Sequence, residues 1–125
     1  MKKLFLFLLL VPLNSHAEWT QVEDSFDGIS TYVDLSSIRK TGSVRRIWAL
    51  FDFSKPQEDS KYLSMKSLSE YDCKTEKYRV LSNTIFRGNM GSGEVINAPE
   101  PDRSWQYISP ESKAEFFYKL VCKRR

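Results

Sequence analysis

Histidine is nearly absent: His16 is the only one in 125 residues. It falls within an N-terminal stretch that has the marks of an export signal. Without it, the rest of the chain can build no Ser-His-Asp triad, no histidine metal site and no imidazole pH switch. Cysteine is equally scarce. Cys73 and Cys122 are the only two, 122 − 73 = 49 positions apart, so no C-x-x-C redox motif exists. No apolar run approaches the ~20 residues of a membrane-spanning helix. The one G-x-G, at Gly91-Ser92-Gly93, lacks the following Lys of a phosphate loop and is expected to be a flexible loop. Charge of one sign is also lacking. The formal charge of +3 falls to (19 − 2) − 16 = +1 when Lys2 and Lys3 are discounted. That gives no bulk electrostatic case for nucleic acid.

The start of the chain has a positive pair, Lys2-Lys3, then an apolar run from Leu4 to Leu13 broken only by Pro12. As a helix the run spans roughly 15 Å, half of a ~30 Å hydrocarbon core. Small residues follow at Ser15 and Ala17. Residues 1–17 are therefore expected to be a signal peptide cleaved near Ala17. Residues 18–125 would form one domain of 125 − 17 = 108 residues. No Cys stands at the cleavage point to carry a lipid. The expected location is periplasmic or secreted. In such an oxidising compartment an even pair of cysteines predicts a disulfide, Cys73–Cys122. It would close a loop of about 50 residues, worth roughly 4 kcal/mol in chain entropy.

Turn signals recur at short intervals and predict strands. Trp19–Ser25 and Ile29–Val33 flank Asp27-Gly28, a tight-hairpin pair. Asp34 to Ile38 is expected as one helical turn capped by Asp34. Val44–Phe53 is apolar on both faces through its middle, which predicts a central strand covered on both sides. Lys55–Lys61 should be a polar loop. Tyr62–Cys73 and Glu76–Phe86 should pair as antiparallel strands, with Tyr78, Val80 and Phe86 on one face. Gly88–Arg103 is a long loop, functional or mobile, and Ser104–Ile108 a short strand. Ser109 is expected to cap a helix with Pro110 at its first position, running to Cys122 with Ala114, Phe117 and Val121 on its apolar stripe.

The expected fold class is α+β: an antiparallel sheet of about five to six strands, with one C-terminal helix packed on one face and tied by the disulfide. A single helix covers one face only. The other must be closed by loop material, by sheet curvature or by another molecule, a homodimer being the simplest case of the last.

Few residues carry chemistry. Asp52, on an otherwise apolar strand, is the carboxylate to watch, although no second acid is paired with it in sequence. Glu58-Asp59 is too short for a calcium loop. No cofactor and no metal are expected. Arg39, Lys40, Arg45 and Arg46 crowd around one turn and form a candidate binding patch for an acidic partner. Trp19 and Trp105 are candidate contact residues.

A set of segments then carries a resemblance. Gly28-Ile29-Ser30-Thr31-Tyr32-Val33-Asp34 leads through Ser36-Ser37-Ile38-Arg39-Lys40 to Gly42. Trp48–Phe53 (WALFDF), Ser64–Cys73 (SMKSLSEYDC) and Asn89–Glu94 (NMGSGE) follow. Trp105, Tyr107, Ile108 and Pro110 precede a helix ending in Cys122. Over nearly the whole chain after the signal, this resembles the surface-adhesin protein E family of Gram-negative bacteria. The resemblance implies an antiparallel sheet with a C-terminal helix and a disulfide. It also implies a non-enzymatic binding role, since the adhesin that names the family binds host extracellular-matrix proteins. The surface-displayed form carries a lipidated Cys, which this chain lacks. The expected function is an exported, adhesin-like binding protein of the cell envelope, with a host matrix or envelope protein as partner. The alternatives are a small periplasmic inhibitor or an envelope chaperone-like factor. An enzyme working through carboxylates ranks below both.

Overall fold

A computed structural model describes residues 18–26, 28–57 and 61–123. The expected signal peptide, residue 27 of the first turn and the cleavage point lie outside them. Five long strands follow one another: β1 (Thr20–Phe26), β2 (Ile29–Thr41), β3 (Val44–Gln57), β4 (Tyr62–Asp72) and β5 (Lys77–Phe86). Two short strands, β6 (Val95–Ile96) and β7 (Gln106–Tyr107), precede the helix α1 (Lys113–Cys122). All pairings are antiparallel, in the order β1-β2-β3-β4-β5-β6, with β7 also on β5.

The first two connections are two residues long, because Phe26 pairs with Ile29 and Thr41 with Val44. Such turns need positive φ, which Gly28 (76°) and Gly42 (58°) adopt without a side-chain penalty.

Three local expectations are corrected. Residues 34–38 form no helical turn: β2 runs straight through, and the extra residues bulge outward between the pairs Asp34–Trp48 and Arg39–Arg46. The Asp34 carboxylate accepts the Ser36 amide at 3.0 Å, and the Ser37 hydroxyl accepts the Trp48 amide at 3.1 Å. The capping chemistry read from the sequence is real, but it stabilises a bulge. The second correction is on β5. A register shift skips Leu81, so Tyr78 and Val80 lie opposite Tyr71 and Ser69, whereas Phe86 lies opposite Ser64 on the other face. Third, β3 continues to Gln57, beyond the expected start of the loop at Lys55.

The helix cap is displaced as well. Ser112, not Ser109, is the cap and accepts the Glu115 amide at 3.2 Å. Ser109 instead offers its carbonyl to the Ser112 hydroxyl at 2.6 Å. Pro110 therefore sits in the preceding turn, where Glu111 has φ 59°.

The core lies between α1 and one face of the sheet. Phe117 and Val121, buried on the helix, meet Val33, Ile47, Ala49 and Tyr71. Phe117 packs edge-on against Phe51, with ring centres 6.1 Å apart. Cys122 is bonded to Cys73, just after β4, with the two Cα atoms 5.5 Å apart. Beside the bridge the Tyr118 hydroxyl donates to the Cys73 carbonyl at 3.1 Å. The helix is thus clamped to the sheet as the sequence leads one to expect.

The second face is closed by the chain itself around Leu50, which is fully buried there. Trp19 lies just before β1, while Lys66 sits on β4 opposite Leu50. Yet the Lys66 ammonium is 5.9 Å from the centre of the Trp19 ring and 5.2 Å from that of Phe86. The indole therefore reaches across two intervening strands, and the Lys66 stem packs beneath it.

Candidate binding surface

The four basic residues come together at the far end of the β2–β3 hairpin, but not as one patch. Cross-strand partners share a face. Arg39 pairs with Arg46 on one face, and Lys40 with Arg45 on the other. Arg39 and Lys40 are exposed. The Arg39 guanidinium donates to the Ser36 and Ile38 carbonyls at 3.1 and 3.2 Å. Arg45 donates to the Gly42 and Val44 carbonyls at 2.8 and 3.2 Å, and its Nε is buried without a partner among the described residues. Arg46 stays exposed, with its Nη2 3.6 Å from a Glu70 oxygen. Arg39, Lys40 and Arg46 are the exposed members of the set.

Glu70 anchors a polar cluster that the sequence did not single out. Only 8% exposed, it accepts from Arg79 Nε and Nη2 at 2.9 and 2.7 Å, as well as facing Arg46. The Arg79 guanidinium in turn stacks 4.4 Å from the centre of the Trp105 ring. Trp105, expected as a contact residue, is half-buried by this stack. Alternation along β4 and β5 puts Glu70 and Arg79 on one face, and that is the signal that could have found the pair.

Asp52 binds the chain's own backbone. Its Oδ1 accepts the Met90 amide at 2.8 Å and the Asn89 side chain at 3.1 Å. The Ser64 hydroxyl accepts the Gly91 amide at 2.9 Å and donates to the Gly88 carbonyl at 2.6 Å. The segment expected to be a loose loop is thus pinned at its start. Farther on, β6 and β7 zip onto opposite ends of β5, and Arg103 Nε donates to the Leu81 carbonyl between them at 2.9 Å. No group of three metal-ligating side chains occurs among the described residues.

Each face of the sheet carries a concavity. On the helix side, a groove of about 250 Å³ runs between Phe117, Met65 and Val80, with Ser67, Ser69 and Asn83 on its floor. Ser67 donates to Asn83 Oδ1 at 2.6 Å, which leaves the groove mostly apolar. On the second face, Trp19, Asp34, Trp48 and Lys66 line a cleft of about 250 Å³. Asp34 and Trp48 are cross-strand neighbours, and Trp19 folds over them from the edge.

Tyr71, Asp72, Asp102 and Tyr118 have displaced titration, and the first two precede the disulfide directly. Burial pushes the Tyr71 phenol well above its ordinary value, and the neighbouring Tyr78 adds to this. The Ser43 hydroxyl, then the Lys74 amide, holds the Asp72 carboxyl below the usual range. Tyr71 and Asp72 support the hairpin end beside the disulfide, and Tyr71 also lines the helix-side groove with Tyr78 and Lys113.

Among the described residues, no helix is long and apolar enough to cross a membrane. No curated protein sequence matches the chain. Solved structures do. Haemophilus influenzae protein E, in one crystal form, superimposes with a TM-score of 0.65 at 11% identity, covering 90% of this chain and 92% of that one. Its selenomethionine form gives 0.60 at 12% identity, covering 83% and 92%. Protein E from a non-typeable strain gives 0.60 at 11% identity, covering 90% and 80%. Likeness at such identity establishes the fold. A sequence-family model, surface-adhesin protein E, matches residues 19–123, which spans every strand, the helix and both cysteines described above. On that match, and with the fold in agreement, the chain belongs to the surface-adhesin protein E family.

Proposed function

We propose that this chain is an exported, non-enzymatic adhesin-like protein that contacts a host matrix or envelope protein through the solvent end of the β2–β3 hairpin. The match to the adhesin family over residues 19–123 carries this reading. The hairpin supports the choice of surface. It projects two exposed cations, Arg39 and Lys40, on opposite faces of one tip. Residues 1–17 serve as the export signal in this reading, with cleavage near Ala17.

Substitution of Arg45 or Arg46 is a poor test, because both are tied into the fold. The double variant Arg39→Glu with Lys40→Glu leaves the core intact. Binding to an immobilised extracellular-matrix protein is expected to fall at least tenfold, about 1.4 kcal/mol, and to weaken with added salt in the parent. Unchanged binding in the variant would reject the hairpin as the contact surface. Capture of one stoichiometric periplasmic protein, with no matrix binding at all, would favour the inhibitor or chaperone-like alternative.

A further inference from the structure

The cleft on the second face plays no part in the hairpin reading. Its two polar groups are a carboxylate and an ammonium. Asp34 is 7% exposed. Its Oδ1 is occupied by the Ser36 amide and hydroxyl, while its Oδ2 accepts no hydrogen bond among the described residues. Lys66 forms no ion pair there and holds its ammonium against aromatic rings. The two groups line the same cleft without pairing with each other. Opposite charges in a sheltered site gain by closing together. Held apart, they leave room for a group that donates to one and accepts from the other, and a hydroxyl does both. The two charges offset each other, so the cleft as a whole favours neither a lone cation nor a lone anion. The other walls are the indoles of Trp19 and Trp48, flat and apolar on their faces with a polar edge. A ligand suited to all four is neutral, carries adjacent hydroxyls and has an apolar ring face.

The geometry points to a saccharide-binding site: a neutral pyranose seated against Trp19 and Trp48, with its hydroxyls donating to Asp34 Oδ2 and accepting from Lys66. This site is independent of the hairpin, so each can fail without the other.

The test titrates the exported protein with lactose, cellobiose and chitobiose, following tryptophan fluorescence and saturation transfer to the sugar ring protons. A saturable response to at least one disaccharide is expected, unaltered by added salt. Trp48→Ala and Lys66→Met should each weaken it about tenfold or more. Asp34→Asn, which keeps an acceptor at Oδ1 for Ser36, should weaken it without loosening the bulge. Arg39→Glu with Lys40→Glu should leave it unchanged. Should Trp48→Ala fail to fold, Lys66→Met still decides, since its stem is retained. Lack of response to all three disaccharides overturns the proposal. So does a response confined to a sulfated disaccharide or to L-phenylalanine, or sugar binding that survives Lys66→Met and Asp34→Asn.

Discussion

Two acidic side chains hold this structure by accepting from backbone, and each has a measurable signature. Asp72 accepts from the Ser43 hydroxyl at 2.8 Å and the Lys74 amide at 3.0 Å, which ties the β2–β3 turn to the β4–β5 turn. These bonds favour its charged form, so its pKa in the folded protein lies below the unfolded value. Stability from this residue is complete above the unfolded value near about 4 and is lost as pH falls below it through the folded pKa. Urea midpoints measured across that range should decline in the parent and decline less steeply in Asp72→Asn. Asp52 offers a second case. Asp52→Ala removes the acceptor for Met90 and Asn89 and should cost about 1 kcal/mol. Hydrogen exchange should then quicken at the Met90 amide while β3 itself stays protected. Asp52 stood out in the sequence because an acid on an apolar strand needs partners. The sequence allowed that it bonds backbone or faces solvent, as it does, but not which backbone, since those partners lie 37 and 38 positions away.

At the scale of elements, periodicity and turn chemistry revealed most of what is present, and their failures share a cause. Val44–Phe53 announced itself as a strand covered on both sides, and β3 is that strand, with Leu50 buried on one face and Ile47 on the other. The Asp34–Ile38 segment misled because Asp and Ser satisfy backbone amides equally well in a bulge or at a helix start. Only long-range pairing with β3 chooses between them. The same ambiguity placed the cap at Ser109 when Ser112 is followed, three residues on, by Glu115. Ser112→Ala should destabilise the protein by about 1 kcal/mol, whereas Ser109→Ala should do much less, since only its carbonyl is used. Thermal melts of the two variants side by side will separate them. The short strand expected within Ser104–Ile108 is β7, whereas β6, two residues inside the expected loop, left no periodic signal because its pairing with β5 is set by the partner strand.

For the whole molecule, the cysteine pair was legible from export context and parity, and the helix position followed from it. What the sequence could not convey is how the second face is sealed. That depends on Trp19 meeting the Lys66 ammonium, a contact between residues 66 − 19 = 47 positions apart. The candidate cleft was invisible for the same reason: Trp19, Asp34, Trp48 and Lys66 come from four places in the chain, and no local pattern joins them. The clamp itself can be tested. Replacing Cys73 and Cys122 by Ser should cost about 4 kcal/mol, seen as a lowered urea midpoint and the earliest loss of helix signal on heating.

One feature of the sheet bears on how copies of this protein meet. The outer side of β5 is occupied at both ends and at Leu81 between them, whereas β1 is hydrogen-bonded on one side only among the described residues. β1 thus presents a strand edge to which a further backbone could add by hydrogen bonding.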